Sequence, residues 1–359
     1  MPMHLLRRLS TAAVLVLLSC AGLALAQAPT PPSPLQKLRI VGGLASVNQY
    51  TRNEEPFWTK ELPRLSGGKF EADIVPFDRA GVPGSDMIRL MQLGVVSFGT
   101  ALVSAMSSQY PEYIAPDLAG LNPDMASLKK NVAAFRPYLE KSLRERQGIE
   151  LLAVYTYPAQ VVFCKQPLTG LSNLRGRRVR VSSSTQSDFV AALGGVPVLT
   201  GFAQIMSNMD SGNTDCAITG TMSGNTLGLH EVAKFIHTLP VNWGVAIFGA
   251  NQAAWNALNP ELRALLSREL PKLEASIWRE SERETSEGLA CNKGASPCTT
   301  GKRGNMVEVH LSPQDERQRK EIFATTVLPH WLQRCNGRCE DIWNQTIGAV
   351  TGIKAEVAK

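Results

Sequence analysis

Hydrophobic positions along this chain change period several times, and each change marks an element. Residues 37–44 read as a first strand. Over residues 54–66, Phe57, Trp58, Leu62 and Leu65 recur at helical spacing, and Gly67-Gly68 stops the run. Phe70, Ala72 and Ile74 alternate as a second strand. Ser85 is placed to N-cap a helix that runs through Met91, and residues 95–102 return as a third strand. This βαβαβ alternation predicts a parallel sheet covered by helices, since a parallel crossover needs a helix-length connection.

The pattern then restarts. Strands are predicted over 151–157, 161–164 and 178–181, the last feeding a helix from about Gln186 to Leu193 that Gly194-Gly195 ends. A helix over 202–209 follows, with strands over 214–219, 233–238 and 244–250. From Pro260 to about Glu287, the spacing of Leu262, Leu265, Leu266, Leu270, Leu273 and Ile277 gives one long helix, bent at Pro271 and long enough to lie across two lobes. Two more amphipathic helices are expected near 312–334 and 340–353, and no internal repeat is present. The expected fold class is therefore α/β and bilobed, with a hinge and a long helix spanning both lobes. Lobe I is expected over 37–153 plus 239–275, and lobe II over 154–238 plus 276–359 with the C-terminal helices. A ligand held between such lobes touches both and favours the closed state.

Composition narrows the class. The 359 residues are 44% hydrophobic and 19% charged, near average, which argues against a disordered, collagen-like or coiled-coil chain. A net charge of +6 does not point to nucleic acid, because the Lys and Arg residues are interspersed with acids rather than gathered in blocks. The single apolar run approaching membrane-spanning length lies at the extreme N-terminus, so a polytopic membrane protein is excluded. Arg7-Arg8, the apolar stretch 11–18 and Ala24-Leu25-Ala26 form the three parts of a signal peptide over 1–26. The competing reading, a lipoprotein site at Leu17-Leu18-Ser19-Cys20, fits its pattern less well. A proline-rich leader over 27–36 follows, and the expected location is the periplasm.

An oxidising compartment makes disulfides the default for the six remaining cysteines. Cys291 with Cys298 and Cys335 with Cys339 bracket short loops, leaving Cys164 with Cys216; a zinc site at the C-terminal cysteines lacks closely spaced His partners. Gly220-Thr221-Met222-Ser223-Gly224 raises the alternative of an exported hydrolase. That segment reads G-x-x-S-G rather than G-x-S-x-G, and His230 and His237 are not strongly placed as bases. No metal or cofactor is expected, since neither a phosphate loop nor a dinucleotide glycine pattern nor an oxygen cage is present.

One stretch carries a family likeness. Asn173-Leu174-Arg175-Gly176-Arg177-Arg178-Val179-Arg180-Val181 resembles the "D-L-K-G-x-K-I-R-V" segment of substrate-binding proteins of tripartite ATP-independent periplasmic (TRAP) transporters. Gly194-Gly195-Val196-Pro197, Phe202-Ala203-Gln204-Ile205, Gly212-Asn213-Thr214-Asp215 and His230-Glu231-Val232-Ala233-Lys234-Phe235 follow in that family's order and spacing. Ser66-Gly67-Gly68-Lys69 and Val82-Pro83-Gly84-Ser85-Asp86 match earlier landmarks, so the likeness covers most of residues 38–290. It implies a periplasmic receptor that captures an organic acid and delivers it to a small and a large integral membrane subunit. A sensor that reports its solute to a membrane receptor kinase is the alternative of the same architecture.

The family register makes Arg180 the carboxylate anchor. Its planar fork of donors matches a carboxylate and stays charged at any relevant pH. Ser182, Ser183, Ser184 and Thr185, just before a helix, offer a hydroxyl or carboxylate subsite with Ser183 the first choice, and plain N-capping is the bland reading. Where relatives carry a second Arg this chain has Gln160, and Thr219, Gln204 and Leu102 replace polar or acidic family residues. The site is therefore expected to be less charged and more apolar, suited to a monocarboxylate. Phe202 and Trp243 are candidate apolar walls, and Tyr50, Gln49 and Asn48 candidate contacts from the first lobe.

Overall fold

A computed structural model describes residues 36–356 of the chain. The signal peptide expected over 1–26, and the leader over 27–36 save for Gln36, lie outside these residues. The strands in chain order are β1 (Gln36–Gly42), β2 (Phe70–Pro76), β3 (Phe98–Leu102), β4 (Ile149–Thr156), β5 (Gln160–Cys164), β6 (Arg178–Val181), β7 (Val196–Leu199), β8 (Cys216–Gly220), β9 (Phe235–His237), β10 (Val245–Asn251) and β11 (Val307–Val309). They form two sheets, in the orders β2-β1-β3-β10-β4 and β11-β9-β5-β8-β6-β7. The bilobed α/β architecture expected from the alternation is present.

The sheets are mixed, not purely parallel. In the first, β1 runs parallel to β2 and β3, as the βαβαβ reading requires, but β10 is antiparallel to both β3 and β4. In the second, β6 is parallel to β7 and β8, while β5 is antiparallel to β8 and β9. The reversed strands are those at which the chain changes lobe: it leaves the first sheet after β4 to enter β5, and returns after β9 to enter β10. The two passages touch, with the Gln160 N–H donating to the Asn242 carbonyl at 2.8 Å and the Val241 N–H to the Gln160 carbonyl at 2.8 Å. β4 runs on to Thr156, three residues past the boundary expected for lobe I.

A long helix, Pro260–Asn292, makes the third link. The Asn259 side chain caps it by accepting from the Glu261 N–H, and Pro260 at its first turn forfeits no helical hydrogen bond. Leu262, Leu266, Leu270 and Ile277 are buried along one face. Farther on, the Trp278 Nε1–H donates to the Val154 carbonyl (2.8 Å) and the Ser281 hydroxyl to the Thr156 carbonyl (2.7 Å), both in β4. One turn later the partners belong to the other lobe: the Ala159 N–H donates to the Thr285 hydroxyl (3.0 Å), and Asn292 Nδ2 to the Thr221 carbonyl (2.9 Å). The helix thus spans both lobes as expected, ending five residues beyond Glu287. Among the described residues no helix is long and apolar enough to cross a membrane.

Two local expectations fail. Ser85 caps no helix, for a single tight turn over Gly84–Asp86 precedes the helix Met87–Gln92, which has no side-chain cap. The sequence reading also lacks the helix Met125–Gln147, capped by Asp124 and closed by Gly148 at φ 62°. Near Phe57 the chain is helical earlier than expected, with widened turns at Gln49–Glu54 and Phe57–Glu61 around Pro56. All three disulfides pair as read: Cys164–Cys216, Cys291–Cys298 and Cys335–Cys339.

Candidate ligand-binding cleft

A cavity of about 660 Å³ opens between the two sheets, with walls from both lobes and from the passages that join them. Arg180 lies in its wall. Strand alternation sets Arg178 and Arg180 on one face of β6, but they meet different surroundings. Arg178 is exposed and its Nη2 pairs with Asp215 Oδ1 at 2.8 Å, whereas Arg180 is only 2% exposed.

The Arg180 guanidinium is held by carbonyls alone. Nε and Nη2 donate to the Thr200 carbonyl at 3.0 and 2.8 Å, and Nη1 donates to the Ile218 carbonyl at 2.9 Å. A guanidinium has five N–H donors. These bonds take three, leaving one N–H on each terminal nitrogen. No carboxylate among the described residues forms an ion pair with it. Burial pulls its pKa down to about 9, so the group is still a cation at neutral pH, in a place where an unpaired charge is costly.

The remaining wall is largely neutral. Gln160, the first residue of β5, and Thr219 on β8 face the cavity from the second lobe, and the Thr219 hydroxyl has no partner among the described residues. Leu199 ends β7, Phe202 and Gln204 stand on the turn that follows it, and Leu102, Phe77 and Leu44 close the apolar side from the first lobe. Among the described residues Arg180 and Asp78 are the only charged side chains in the wall. Asp78 Oδ1 accepts from the Ala45 N–H at 3.1 Å.

Of the residues singled out in the sequence, the structure brings together Arg180, Gln160, Phe202 and Thr219, with Gln204 and Leu102 beside them. Ser183, Trp243, Tyr50 and Asn48 do not line the cavity. Ser183 is the N-cap of the helix Ser184–Ala192, its hydroxyl accepting from the Gln186 N–H at 3.1 Å. Trp243 is buried, its indole donating to the Asn122 carbonyl at 3.2 Å. Tyr50 packs under Gly42, with its hydroxyl bonded to the Ile74 carbonyl at 3.4 Å. Asn48 donates to Glu284 Oε1 at 2.5 Å, joining the first lobe to the long helix. Ser182, next to the first-choice Ser183 in the same expected subsite, does line the cavity, as do Tyr157, Gly244 and Ser107, which the sequence did not single out. The passages between lobes had no sequence signature that set them apart from ordinary loops.

Two buried carboxylates support the cleft from behind. Glu54 is fully buried and accepts from the Gly43 N–H (3.1 Å), Gln49 Nε2 (2.8 Å) and the Thr100 hydroxyl (2.9 Å), yet burial raises its pKa to about 7. The hydroxyl of Tyr157 and the Oε1 of Gln49, both near Gly43, are buried without partners. Asp117 holds the return passage: Oδ1 accepts from the Trp243 N–H (2.9 Å), and Oδ2 from the Gly244 N–H (2.7 Å) and Asn242 Nδ2 (3.0 Å). Burial outweighs those donors and pushes its pKa up to about 6.

Ser223, the serine of the G-x-x-S-G segment, also lines the cavity, but no histidine among the described residues hydrogen-bonds to it. His237 is bound into the fold. Its Nδ1 accepts from the Leu239 N–H at 3.0 Å, which leaves Nε2–H to donate to Asp315 at 3.3 Å. No group of three metal-ligating side chains occurs among the described residues.

Residues 42–323 match the family model DctP, bacterial extracellular solute-binding protein, family 7. Solved structures share the fold. A Bordetella pertussis extracytoplasmic solute receptor, DctP7, binding pyroglutamic acid, is 22% identical over 86% of this chain and 99% of its own, with a TM-score of 0.76. A TRAP periplasmic solute-binding protein from Ralstonia eutropha H16 with bound (S)-2-acetolactate is 18% identical over 88% of this chain and 99% of its own (TM-score 0.75). Another, from Desulfovibrio salexigens with bound orotic acid, is 16% identical over 85% of this chain and 96% of its own (TM-score 0.74).

Proposed function

The chain belongs to family 7 of the bacterial extracellular solute-binding proteins, the DctP family, and from that premise we propose that it is the periplasmic receptor of a TRAP transporter for a monocarboxylate with an apolar body. The observation that carries this reading is Arg180: a buried cation in a cavity wall, with no acid partner and two N–H groups unused. A carboxylate placed against those two donors supplies the missing charge and takes a forked pair of hydrogen bonds, each contributing about 1.5–3 kcal/mol. One cation matches one carboxylate. A second is disfavoured by Asp78, the other charge in the wall. Phe202, Leu102, Leu199 and Phe77 supply the apolar surface, with Gln160 and Thr219 as neutral hydrogen-bonding groups.

Capture works by closure. Walls from both lobes contact a bound acid at once, so the acid stabilises the closed form by its differential affinity for that form. The closed form is what the small and large integral membrane subunits read.

The test is a thermal-shift screen of protein unfolded and refolded to strip carried-over solute, against pyroglutamate, 2-acetolactate, orotate and other organic acids, beside Arg180→Ala. At one hundred times its Kd an acid adds about 2.7 kcal/mol of stability, a rise of about 5 °C in Tm for a chain this size. An acid that raises the Tm of the wild type and not of the variant supports the reading. Equal shifts in both proteins overturn Arg180 as the anchor, and no shift with any acid overturns carboxylate capture.

A further inference from the structure

Gln160 has one amide to present to the cleft, and which end it presents decides what a solute must offer. The neighbours of Gln160 settle that orientation through a chain of amides with two fixed ends. At one end is Asp117, an acceptor whose oxygens already receive the backbone N–H groups of Trp243 and Gly244. Asn242 therefore turns its NH2 to Asp117, at 3.0 Å, and its carbonyl oxygen the other way. That oxygen accepts from Gln186 Nε2 at 2.7 Å. At the other end is the backbone N–H of Ser182, a donor of fixed polarity, which bonds Gln186 Oε1 at 2.7 Å. Gln186 is thus oriented twice over. Its Nε2 also stands 3.3 Å from Gln160 Oε1, so the Gln160 oxygen points inward and its NH2 is the free end. That NH2 lies beside Gly244 at the cavity wall, where a Cβ on the glycine would come within 2.6 Å of it, and it has no acceptor among the described residues.

We propose that Gln186, which does not line the cavity, is a positioning residue that locks the Gln160 amide with its NH2 toward the cleft. The site then favours acids that carry a second hydrogen-bond acceptor, a carbonyl or hydroxyl oxygen, at the Gln160 position, where an ammonium gains nothing. This rests on the receptor reading above and sharpens it. With Arg180 as the anchor, both polar groups facing the solute from β5 and β6 are donors. An acceptor oxygen meets the Gln160 NH2, whereas an ammonium meets N–H against N–H and loses its own hydration. Gln186 and Asn242 are fully buried and Asp117 nearly so, so no water competes for the amides that set the polarity. The three residues also come from different places, the second lobe, the return passage and the first lobe, so the solute-facing amide is set by the packing of lobes and passage together.

The experiment is calorimetric titration of wild type, Gln186→Met, Gln160→Leu and the double variant with two matched sets of acids. One set is pyroglutamate, cyclopentanecarboxylate and proline; the other is 4-methyl-2-oxopentanoate, 4-methylpentanoate and leucine. Each holds its skeleton nearly constant while the second group changes from an acceptor oxygen, which in pyroglutamate comes with a lactam N–H, to nothing to ammonium. In the set whose skeleton fits, the acceptor acid should bind the wild type about tenfold tighter than its plain analogue, the loss of one hydrogen bond to an uncompensated donor, and the amino acid no tighter than the plain analogue. Gln186→Met and Gln160→Leu should each erase that preference, and the double variant should lose no more than either single one. Gln186→Glu keeps the bond to Ser182 while setting an oxygen against Gln160 Oε1; it should also erase the preference, which guards against a packing defect in Gln186→Met. Additive losses in the double variant, or a preference that survives both Gln186 substitutions, overturn the positioning role. Wild-type binding of an acceptor acid and its plain analogue with equal affinity overturns the donor orientation of Gln160. Wild type that binds no acid of either set, nor any in the wider screen, overturns the receptor reading itself, a result read without any variant.

Discussion

Replacing Glu54 with Gln should flatten the pH dependence of stability. Glu54 is fully buried, and its pKa rises from an ordinary 4.5 to about 7 because burial outweighs the bonds from Gly43 and Thr100. Ionising it in the fold therefore costs about 3 kcal/mol more than ionising it in the unfolded chain. The sign follows from the raised value: the stabilisation is full below the unfolded pKa and is lost as pH rises through about 7. Gln cannot ionise, and a half-turn of the Gln49 amide, whose Nε2 now donates to Glu54 Oε1 at 2.8 Å, brings its partnerless Oε1 round to accept from the new NH2. Between pH 5 and 8.5 the wild type should lose about 5 °C of Tm more than Glu54→Gln, at roughly 2 °C per kcal/mol for a chain of this length. Asp117 and Glu284, whose pKa values burial raises to about 6 and about 7, titrate in the same window but are common to both proteins. Scanning calorimetry at four pH values decides it. Parallel slopes for the two proteins, or a variant less stable than wild type at pH 8.5, would refute the argument that a buried charge at Glu54 is the cost.

The disulfide Cys164–Cys216 closes a loop of sequence separation 52, so its double Ser variant should lose up to about 4 kcal/mol, read as a lower urea midpoint in the oxidised protein. Gly244→Ala forces a residue with a side chain into φ 86° and a methyl within 2.6 Å of Gln160 Nε2; Tm should fall, and acid affinity should fall with it, by calorimetry. Trp243→Phe removes the bond to the Asn122 carbonyl and should cost about 1 kcal/mol in urea denaturation while leaving acid affinity within about twofold, since the indole is not in the cavity wall.

The two-lobed α/β fold and the strand that carries Arg180 were legible because they rest on local signals: strand alternation, glycine stops, and a strand-turn-helix segment with a distinctive order of residues. Strand direction was not legible. Whether residues 245–251 run with or against β3 depends on where the chain comes from, and no feature of that apolar run encodes it. Of the candidates that do not line the cavity, two are a single step from a residue that does. Ser182 lines the cavity while Ser183 caps the helix, and Gly244 lines it while Trp243 is core. Adjacent residues in extended chain point to opposite faces, so a reading that finds the right segment still has to choose the side. The helix Met125–Gln147 was readable, with Met125, Leu128, Val132, Phe135, Leu139 and Leu143 at helical spacing; Pro137 within it and Pro111, Pro116 and Pro123 before it mask the period.

The insertion of β10 between β3 and β4 has a consequence for the order in which the molecule can be made. The ribosome delivers β3 and β4 first, but they do not pair with each other; each waits for the strand that belongs in the slot between them. That strand appears about 90 residues after β4, a delay of roughly 5–20 s at ordinary rates of synthesis. Most of the second sheet, from β5 to β9, is delivered inside that interval. The half of the molecule that begins the chain is thus finished after the core of the half that follows it. Until then the facing edges of β3 and β4 are open to any other extended chain, the condition under which β-rich segments from neighbouring copies associate. On any route that delivers the chain N-terminus first, ribosome or export channel, those two edges stay open from residue 156 to residue 251, and a chaperone that shields them has a defined span of chain over which to act.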